Sequence, residues 1–316
     1  MKTAFLFPGQ GSQKVGMMQD LAAQYESVRN RFEEADEALG WKLSELIFEG
    51  PAEKLQQTQY TQPAILTASV AAYDLLAQAG IAAEYLAGHS LGEYSALVAA
   101  GSISFVDAVR TVHARGKFMQ EAVPIGEGGM AAIIRLEREK IIAICEELSA
   151  QGKIVQAVNF NCPGQVVIAG TTDAVAAACE KMKEAGARRA IPLPVSAPFH
   201  STLMQPAAEK LAQVLHTIEI KEARIPVIAN VHAQPVHTSE EIRESLVEQA
   251  AHPVLWEDSM HVLLTKGVDT MVEVGPGTVL SGFMKKIEPA VHREHVENVS
   301  SLEATLAYFE EAQNDN

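Results

Sequence analysis

Short apolar runs alternate along the chain with longer segments of helical periodicity, and this alternation predicts an α/β protein. Residues 3–7 predict a buried strand that ends at a glycine-rich turn, after which an acidic helical region begins. Helical periodicity returns over residues 62–80, and residues 84–87 predict a central strand. A small-residue helix is predicted over residues 93–100, followed by a second helix that Ser104 caps.

Residues 125–196 follow a different order of elements. Strand, helix, strand, strand, helix and strand segments succeed one another there, which is the β-α-β-β-α-β order of a ferredoxin-like domain. The larger α/β pattern resumes after Pro198. We therefore predict a large domain made of residues 1–124 and 197–316, with a mostly parallel sheet, and a small inserted domain made of residues 125–196.

The composition limits the classes of ligand. The 316 residues are 47% hydrophobic and 21% charged, which is ordinary for a globular enzyme and excludes fibrous and wholly disordered classes. The 25 basic and 40 acidic residues give a formal net charge of −15. This charge disfavours nucleic acid as the main ligand, so any anionic partner requires a local basic patch.

The cysteines and the apolar segments indicate the compartment. Cys145, Cys162 and Cys179 are an odd number without C-x-x-C spacing, which argues against a disulfide framework and against a zinc site. The apolar run of residues 3–7 is too short for a signal peptide, and no later stretch reaches the roughly 18 continuous apolar residues of a membrane span. We therefore expect a cytoplasmic protein that has no membrane partner.

The segment Gly88-x-Ser90-x-Gly92 matches the nucleophile elbow, a sharp turn that lifts a serine out of a strand-to-helix junction. This short motif also arises by chance. Here a predicted strand precedes it and a predicted helix follows it, so we interpret Ser90 as a nucleophile. The helix that begins at Leu91 directs its free N–H groups toward the serine, where they would stabilise an oxyanion.

A serine nucleophile needs a base, and histidine is the usual one because its pKa lies near neutrality. His89 is adjacent to Ser90, but neighbouring residues of an elbow point in different directions, so we expect it to pack or to hydrogen-bond locally. His200 lies where the predicted small domain returns to the large one, and domain junctions form clefts. His200 is therefore the candidate base, and we expect its pKa near the reference value of about 6.5.

Other patterns of interest have simpler explanations. His232 with His237, and His292 with His295, resemble pairs of metal ligands, but without an H-E-x-x-H helix a surface position is the simpler interpretation. The pair Gly9-x-Gly11 lacks the third glycine of the dinucleotide motif, and the chain has no Walker A sequence. We therefore expect no metal and no cofactor, and a nucleotide-binding module or a non-catalytic scaffold is disfavoured.

Six segments together resemble the malonyl-CoA:acyl carrier protein transacylase family. They are Phe7-Pro8-Gly9-Gln10-Gly11-Ser12-Gln13, Gly88-His89-Ser90-Leu91-Gly92-Glu93-Tyr94, Arg115-Gly116-Lys117-Phe118-Met119-Gln120, Asn159-Phe160-Asn161-x-Pro163-Gly164-Gln165, Ala197-Pro198-Phe199-His200 and Glu273-Val274-Gly275-Pro276-Gly277. Each segment alone is a weak or moderate signal, but the six follow the family's order over essentially the whole chain. The resemblance implies a hydrolase-like α/β core with a ferredoxin-like insert.

The resemblance also implies roles for individual residues. Ser90 corresponds to the acyl-accepting nucleophile and His200 to its general base. Gln10 and the backbone N–H of Leu91 correspond to the oxyanion hole. Gln249 corresponds to the residue that orients His200 through its backbone carbonyl, in place of the carboxylate of a conventional triad.

The segment that follows Gln249 departs from the family's pattern. The family often has Asn-Pro-Val after the glutamine, whereas this chain has His252 before Pro253 and Val254. A histidine at that position can change the hydrogen bonding around Gln249. Asp107 and Asp173 stay open as alternative orienting groups, although neither lies in a matching motif.

Arg115 distinguishes a malonyl transferase from an esterase. A guanidinium binds a carboxylate through paired donors, and malonyl has a free carboxylate that acetyl lacks. Most arginines on amphipathic helices lie at the surface, but the segment around Arg115 matches the family residue that holds the malonyl carboxylate. The resemblance also places Met119 and Phe199 in the acyl pocket, where an aromatic ring would crowd the extra methyl of methylmalonyl.

The implied reaction transfers malonyl from malonyl-CoA to the phosphopantetheine thiol of acyl carrier protein through a malonyl-serine intermediate, which supplies fatty acid synthesis. A free-standing acyltransferase that serves a polyketide synthase is an alternative, and a serine esterase or thioesterase with water as acceptor is a weaker one. Both substrates are anionic, and the candidate docking patch is Arg188, Arg189, Lys285 and Lys286. Scattered solvated charges are the alternative interpretation of that patch. We expect a monomer.

Overall fold

A computed structural model describes residues 1–195 and 197–314, which form ten strands and fourteen α-helices. The strands are β1 (Thr3–Phe7), β2 (Tyr85–Gly88), β3 (Gly128–Ile134), β4 (Val155–Cys162), β5 (Gln165–Thr171), β6 (Arg189–Pro192), β7 (Val227–Ala229), β8 (Gln234–Val236), β9 (Thr270–Val274) and β10 (His292–Val296). The predicted domain ranges also include Ser196, Asp315 and Asn316, which lie outside the described residues.

The helices cover both sheets and fill the connections between strands. They are α1 (Gln19–Gln24), α2 (Glu26–Leu39), α3 (Leu43–Glu49), α4 (Ala52–Leu55), α5 (Thr58–Gln78), α6 (Gly92–Ala99), α7 (Phe105–Glu121), α8 (Arg138–Ala150), α9 (Thr172–Glu184), α10 (Gln205–Thr217), α11 (Ser239–Gln249), α12 (Trp256–Thr265), α13 (Val279–Ile287) and α14 (Val299–Asn314). A short 3₁₀ turn (Thr202–Met204) precedes α10. None of the described helices combines the length and the apolar composition that membrane crossing requires.

The larger sheet has six strands in the order β10-β9-β1-β2-β7-β8 and is parallel except at β8. Every residue of β1 is buried, because helices cover both faces of a parallel sheet. Strands β1 and β2 run in register from Ala4 opposite Tyr85 to Phe7 opposite Gly88. The loops that follow these two strands therefore emerge side by side, which brings Gln10 close to Ser90.

The smaller sheet is antiparallel, with the order β4-β5-β3-β6. Along the chain its elements follow the order β3-α8-β4-β5-α9-β6, which is the predicted β-α-β-β-α-β unit. It has its own apolar core, in which Ile133 and Ile168 of the sheet meet Ile141 and Met182 of the two helices. The predicted α/β class, with a mostly parallel sheet and a ferredoxin-like unit, is confirmed. The domain boundaries at residues 125 and 196 stay a prediction.

Backbone contacts join the two sheets beside the cleft. Phe160 of β4 donates its N–H to the carbonyl of Val254 at 3.0 Å, and Val254 donates to Val158 at 2.8 Å. Arg138 of α8 forms an ion pair with Asp258 of α12 at 2.9 Å. The small sheet is thus attached to the large domain through β4 and α8. These contacts fix the width of the cleft between the two sheets.

Two parts of the sequence prediction differ from the structure. The sequence of residues 161–164, which contains Pro163 and Gly164, predicts a turn, but strand β4 continues through Cys162, so Asn161 lies in a strand. The turn is shorter because the backbone reverses at Pro163 and Gly164 alone. Strand β10 was not predicted, since its sequence His-Arg-Glu-His-Val has one apolar residue. It lies at the sheet edge, where only β9 pairs with it and polar side chains are tolerated.

Candidate active site

The turn between β2 and α6 holds Ser90 in the left-handed region, with a φ of 51°. Two glycines make this turn sterically possible. A Cβ on Gly88 would overlap the backbone of Gly92, and a Cβ on Gly92 would overlap the carbonyl of Phe7. The elbow predicted from the sequence is therefore formed, and Ser90 lies at its apex with Leu91 as the N-cap of α6. The Leu91 N–H belongs to the group of helix N-terminal donors that have no intrahelical acceptor.

Asn230, which sequence analysis missed, holds both ends of this turn. It directly follows β7 and is fully buried. Its Oδ1 accepts from the N–H of Ser90 at 2.7 Å, and its Nδ2 donates to the carbonyl of Gly88 at 2.7 Å. A left-handed serine costs about 1–3 kcal/mol, so it persists only where surrounding contacts fix it. The amide of Asn230 supplies those contacts.

Ser90 and His200 meet as predicted. Ser90 Oγ lies 2.8 Å from His200 Nε2, and His200 Nδ1 lies 2.7 Å from the backbone carbonyl of Gln249. Since a carbonyl only accepts, Nδ1 carries the proton and Nε2 is free to accept from the serine hydroxyl. The His252 imidazole bonds the carbonyl of Glu248 at 2.8 Å, while the His252 backbone hydrogen-bonds His200.

The two carboxylates that the sequence left open are elsewhere. Asp107 lies in the first turn of α7, where it accepts from the Ser104 hydroxyl at 2.8 Å, and Asp173 accepts from the Thr171 hydroxyl at 2.7 Å. Both groups are at exposed helix N-termini. A main-chain carbonyl, rather than a carboxylate, therefore orients His200.

Arg115 is buried beside the serine instead of lying on the surface of its helix. Its side chain is only 1% exposed. Nη1 donates to Gln62 Oε1 at 2.8 Å, and Nη2 donates to Gln249 Oε1 at 2.8 Å and to Ser90 Oγ at 3.2 Å. Gly116 makes this position possible, because a Cβ there would lie 2.7 Å from the Thr58 carbonyl. Helix α7 thus approaches the first turn of α5 closely enough for the guanidinium to reach Gln62.

Burial and charge together change the proton affinities of the site. Burial, followed by the positive charge of Arg115, lowers the pKa of His200 to about 3, although the Gln249 carbonyl acts in the opposite direction. Burial raises the pKa of Glu93, which follows the elbow in α6, to about 7. His200 is therefore neutral at physiological pH and ready to accept a proton. This result corrects the value near 6.5 that the sequence led us to expect.

The lowered pKa of His200 predicts an unusual pH profile. A histidine base is active when neutral, so depressing its pKa extends activity toward acid. We expect the rate of Ser90 acylation by a thioester to stay level as the pH falls through 6.5 and to decline only well below it. Single-turnover acylation between pH 5 and pH 8 measures this. A rate that is half-maximal near pH 6.5 would contradict this expectation. Glu93→Gln is measured in parallel as a control, because Glu93 is a nearby carboxyl whose pKa is about 7.

The space in front of Ser90 is a cavity of about 100 Å³ between the two sheets. The predicted residues Gln10, Leu91, Met119 and Phe199 all line it. So do several residues that sequence analysis did not identify, namely Gln62, Met130, Asn159, Leu193 and Val195. Gln10 is held over the serine by donating its amide to Thr58 Oγ1 at 3.3 Å. The cavity has the size of a small acyl group, and its lining combines apolar side chains with the polar groups of Gln10, Gln62, His89, Ser90, Arg115, Asn159 and His200.

A second cavity of about 310 Å³ continues outward from the first and shares Gln10, His89 and Leu193 with it. His89 forms part of the shared wall. Its ring packs against Trp256 and Phe283, as one of the two expected alternatives has it, and its Nε2 lies 2.8 Å from Asn161 Oδ1, so the hydrogen bond crosses the cleft to β4 instead of being local. The two cavities together form a channel that leads from the surface to Ser90.

Three of the four candidate docking residues come together. Arg188, Arg189 and Lys286 line one open cavity of about 570 Å³, and Arg135 joins them. Lys285 is exposed on α13 but does not line this cavity. Lys286 lies one helical turn after Phe283, which lines the outer channel. The basic cavity is therefore next to the mouth of the channel.

Of the four histidines considered as metal ligands, His232, His292 and His295 each lie within 4.0 Å of a carboxylate. His232 Nε2 lies 3.1 Å from Glu248, and His292 Nε2 lies 2.7 Å from Glu294. Within residues 1–195 and 197–314, no group of three or more His, Cys, Asp or Glu side chains is placed to hold a metal ion. The cysteines Cys145, Cys162 and Cys179 are buried and free.

Comparisons with known proteins agree with this geometry. The model of the acyl transferase domain family matches residues 4–304. A malonyl CoA-acyl carrier protein transacylase of Bacillus subtilis (strain 168) is 50% identical over 315 residues, which is 100% of this chain and 99% of the relative.

Two solved structures have folds similar to that of this chain. An acyl carrier protein S-malonyltransferase of Vibrio cholerae superposes with a TM-score of 0.94 at 49% identity, over 96% of this chain and 100% of that chain. A structure of a type II PKS acyl-carrier protein in complex with its malonyl-transacylase superposes with a TM-score of 0.95 at 48% identity, over 98% of this chain and 100% of that chain. The likeness thus extends over the whole described fold.

Proposed function

The chain belongs to the malonyl CoA-acyl carrier protein transacylase family, and from this membership we propose that the Ser90 site carries a malonyl group from malonyl-CoA to the thiol of an acyl carrier protein. The enzyme is an acyltransferase. The observation that supports the assignment of the site is the buried guanidinium of Arg115, whose Nη2 lies 3.2 Å from Ser90 Oγ. A buried cation beside the nucleophile in a small cavity favours an acyl group that carries its own carboxylate.

In the first half-reaction, His200 Nε2 takes the proton of the Ser90 hydroxyl as Oγ bonds to the thioester carbon. The N–H of Leu91 and the amide of Gln10 stabilise the oxyanion that forms. Gln10 donates one amide proton to Thr58, and its second amide proton remains for the oxyanion. The intermediate collapses as the carbon–sulfur bond breaks, and the CoA sulfur leaves with the proton from His200.

In the second half-reaction, the phosphopantetheine thiol of the carrier protein gives its proton to His200 and attacks the malonyl ester. The ester bond to Ser90 breaks, and His200 returns the proton to Oγ. The same base and the same oxyanion donors therefore serve both directions, and ping-pong kinetics follow. The cycle needs no cofactor, and all its groups come from one chain, so we propose that the enzyme acts as a monomer. The three free, buried cysteines support the proposal that it acts in the cytoplasm.

Intact-protein mass spectrometry tests this proposal. Brief exposure to malonyl-CoA is expected to add the mass of one malonyl group to the wild-type protein and none to Ser90→Ala. Acetyl-CoA and methylmalonyl-CoA, run in parallel, report the selectivity of the cavity. Rapid release of free malonate without carrier protein would instead identify a hydrolase, and labelling that survives in Ser90→Ala would place the nucleophile elsewhere.

The transferred malonyl group supplies fatty acid synthesis. A polyketide synthase is the second candidate for the receiving pathway, because one similar structure contains a type II PKS acyl-carrier protein. The two pathways are distinguished by comparing kcat/KM for a carrier protein of each kind. The larger value identifies the pathway that this enzyme serves.

The basic cavity next to the channel predicts a specific effect on carrier-protein binding. Lys286→Glu is expected to raise KM for carrier protein several-fold and to change kcat little, because Lys286 lines the cavity with Arg188 and Arg189. Lys285→Glu makes the same charge change one residue away and outside the cavity, so its effect on KM should be smaller. Steady-state kinetics at low salt measure both. Equal KM values for the wild type and Lys286→Glu would remove this cavity from the docking surface.

A further inference from the structure

The Gln249 side chain lies at the centre of the site, and the proposed function uses only its backbone. The residue ends α11 and is fully buried. Its Oε1 accepts from Arg115 Nη2 at 2.8 Å, while its Nε2 donates to the carbonyl of Ser90 at 2.9 Å and to Glu93 Oε2 at 2.8 Å. Together with its carbonyl on His200, this one residue contacts the base, the nucleophile's backbone and the cation.

Glu93 fixes which end of the amide faces which group. Its Oε2 also accepts from the N–H of Asn230 at 3.1 Å, so the carboxyl is held in place from a second side. A flipped amide would place the Gln249 oxygen against the oxygens of both Glu93 and Ser90, and its NH₂ against the guanidinium of Arg115. Each of those contacts would be repulsive, because two acceptors or two donors would meet. Only the observed orientation satisfies all of them.

The bond to the Ser90 carbonyl also acts on the proposed oxyanion hole. The carbonyl of Ser90 and the N–H of Leu91 belong to one peptide group, which is planar and trans. They therefore point in opposite directions, and fixing one fixes the other. The Ser90 carbonyl accepts from Gln249 Nε2 at 2.9 Å and from the N–H of Glu93 at 3.1 Å, and these two bonds together set the direction of the Leu91 N–H toward the cavity.

We propose that the Gln249 side chain is a positioning group that acts in two ways: Oε1 orients Arg115 toward the malonyl carboxylate, and Nε2 orients the Ser90–Leu91 peptide toward the oxyanion. Glu93 holds the amide in the orientation that makes both contacts. This inference rests on the proposed function. It adds a side-chain role to a residue whose carbonyl alone entered the proposed cycle.

Gln62 provides a matched control, because its Oε1 accepts from Arg115 at the same 2.8 Å and its amide Nε2 bonds Met119 instead of the elbow. Gln62→Met therefore disturbs the cation and one wall of the cavity but not the oxyanion donor, whereas Gln249→Met disturbs the cation and the oxyanion donor. Both variants are expected to lower malonyl acylation by roughly tenfold or more. Gln249→Met should in addition lower acetyl acylation by roughly tenfold more than Gln62→Met does.

The pH profile of acylation distinguishes the proposed role of the Gln249 side chain from an effect on the pKa of His200. Methionine keeps the backbone carbonyl at position 249, so the acid limb of Gln249→Met should coincide with that of the wild type. A shifted limb, or equal acetyl rates in Gln249→Met and Gln62→Met, would overturn the inference. If Gln249→Met does not fold, Gln249→Glu carries the test, since it keeps the shape and replaces the donor by an acceptor. Both acylation rates should then fall, and unchanged rates would overturn the inference.

Variants at Glu93 test what orients the amide. Glu93→Met removes the acceptor and is expected to reproduce the loss of acetyl acylation seen in Gln249→Met. Glu93→Gln keeps an oxygen in reach of Gln249 and should recover most of that loss. Wild-type rates in Glu93→Met would show that Glu93 does not hold the amide. These outcomes are distinct from failure of the proposed function, which would appear as absence of malonyl loading on Ser90 in the wild type.

Discussion

Replacing His200 by asparagine is expected to lower the rate of Ser90 acylation by roughly 10⁴-fold or more, because the serine then has no group to take its proton. The choice of asparagine follows from the backbone. His200 has a φ of 62°, which asparagine adopts more readily than most residues, so the variant removes the base without adding strain. Single-turnover acylation with malonyl-CoA measures the effect.

His200→Ala is the companion variant. Alanine removes the same base but fits the left-handed backbone less well, so it should be as inactive as His200→Asn and less stable to heat. A rate within tenfold of the wild type in either variant would show that another group takes the proton. Thermal melting of both proteins separates loss of the base from loss of the fold.

The second large effect concerns Arg115. Arg115→Ala is expected to lower kcat/KM for malonyl-CoA by roughly 30- to 5,000-fold, which corresponds to about 2–5 kcal/mol, the usual cost of removing one partner of a buried charge pair. Acetyl transfer should be spared or improved, because acetyl has no carboxylate to bind. An equal loss for both thioesters would refute the proposed contact.

Arg115→Ala is also expected to change the pH dependence of acylation. The charge of Arg115 helps to lower the pKa of His200, since it opposes protonation of the imidazole. In Arg115→Ala that pKa should rise, and the acid limb of acetyl acylation should move to higher pH. Arg115→Lys is the matched control, because it keeps the charge and loses the planar pair of donors. It should keep the low acid limb and still lose malonyl selectivity.

The parts of the fold that sequence predicted correctly depend on local physics. The run of residues 3–7 is apolar throughout and forms the fully buried β1. Ser104 accepts from the N–H of Asp107 at 3.1 Å, as a capping serine at the start of a helix does. Gly88 and Gly92 are needed because a side chain at either position would meet neighbouring backbone. Each of these features is encoded within a few residues.

The features that sequence missed depend on residues far apart in the chain. Arg115 is held by Gln62 and Gln249, which lie 53 and 134 positions away, and no spacing rule connects them. The depressed pKa of His200 arises from burial and from a cation on another helix. Strand β10 has a polar sequence and gains its structure from β9 and from the ring of Tyr308, which stacks on His292 with centroids 3.8 Å apart.

The contact between His200 and the backbone of Gln249 has a genetic consequence. Every amino acid brings a main-chain carbonyl, so no codon change at position 249 deletes this acceptor. An alanine scan would report the side-chain bonds of Gln249 and leave the imidazole tautomer as it was. Chemical synthesis reaches what mutagenesis does not, since an amide-to-ester replacement between residues 249 and 250 would leave a weaker acceptor opposite Nδ1. The acceptor that orients His200 thus depends on the course of the backbone at position 249 and not on the type of residue there.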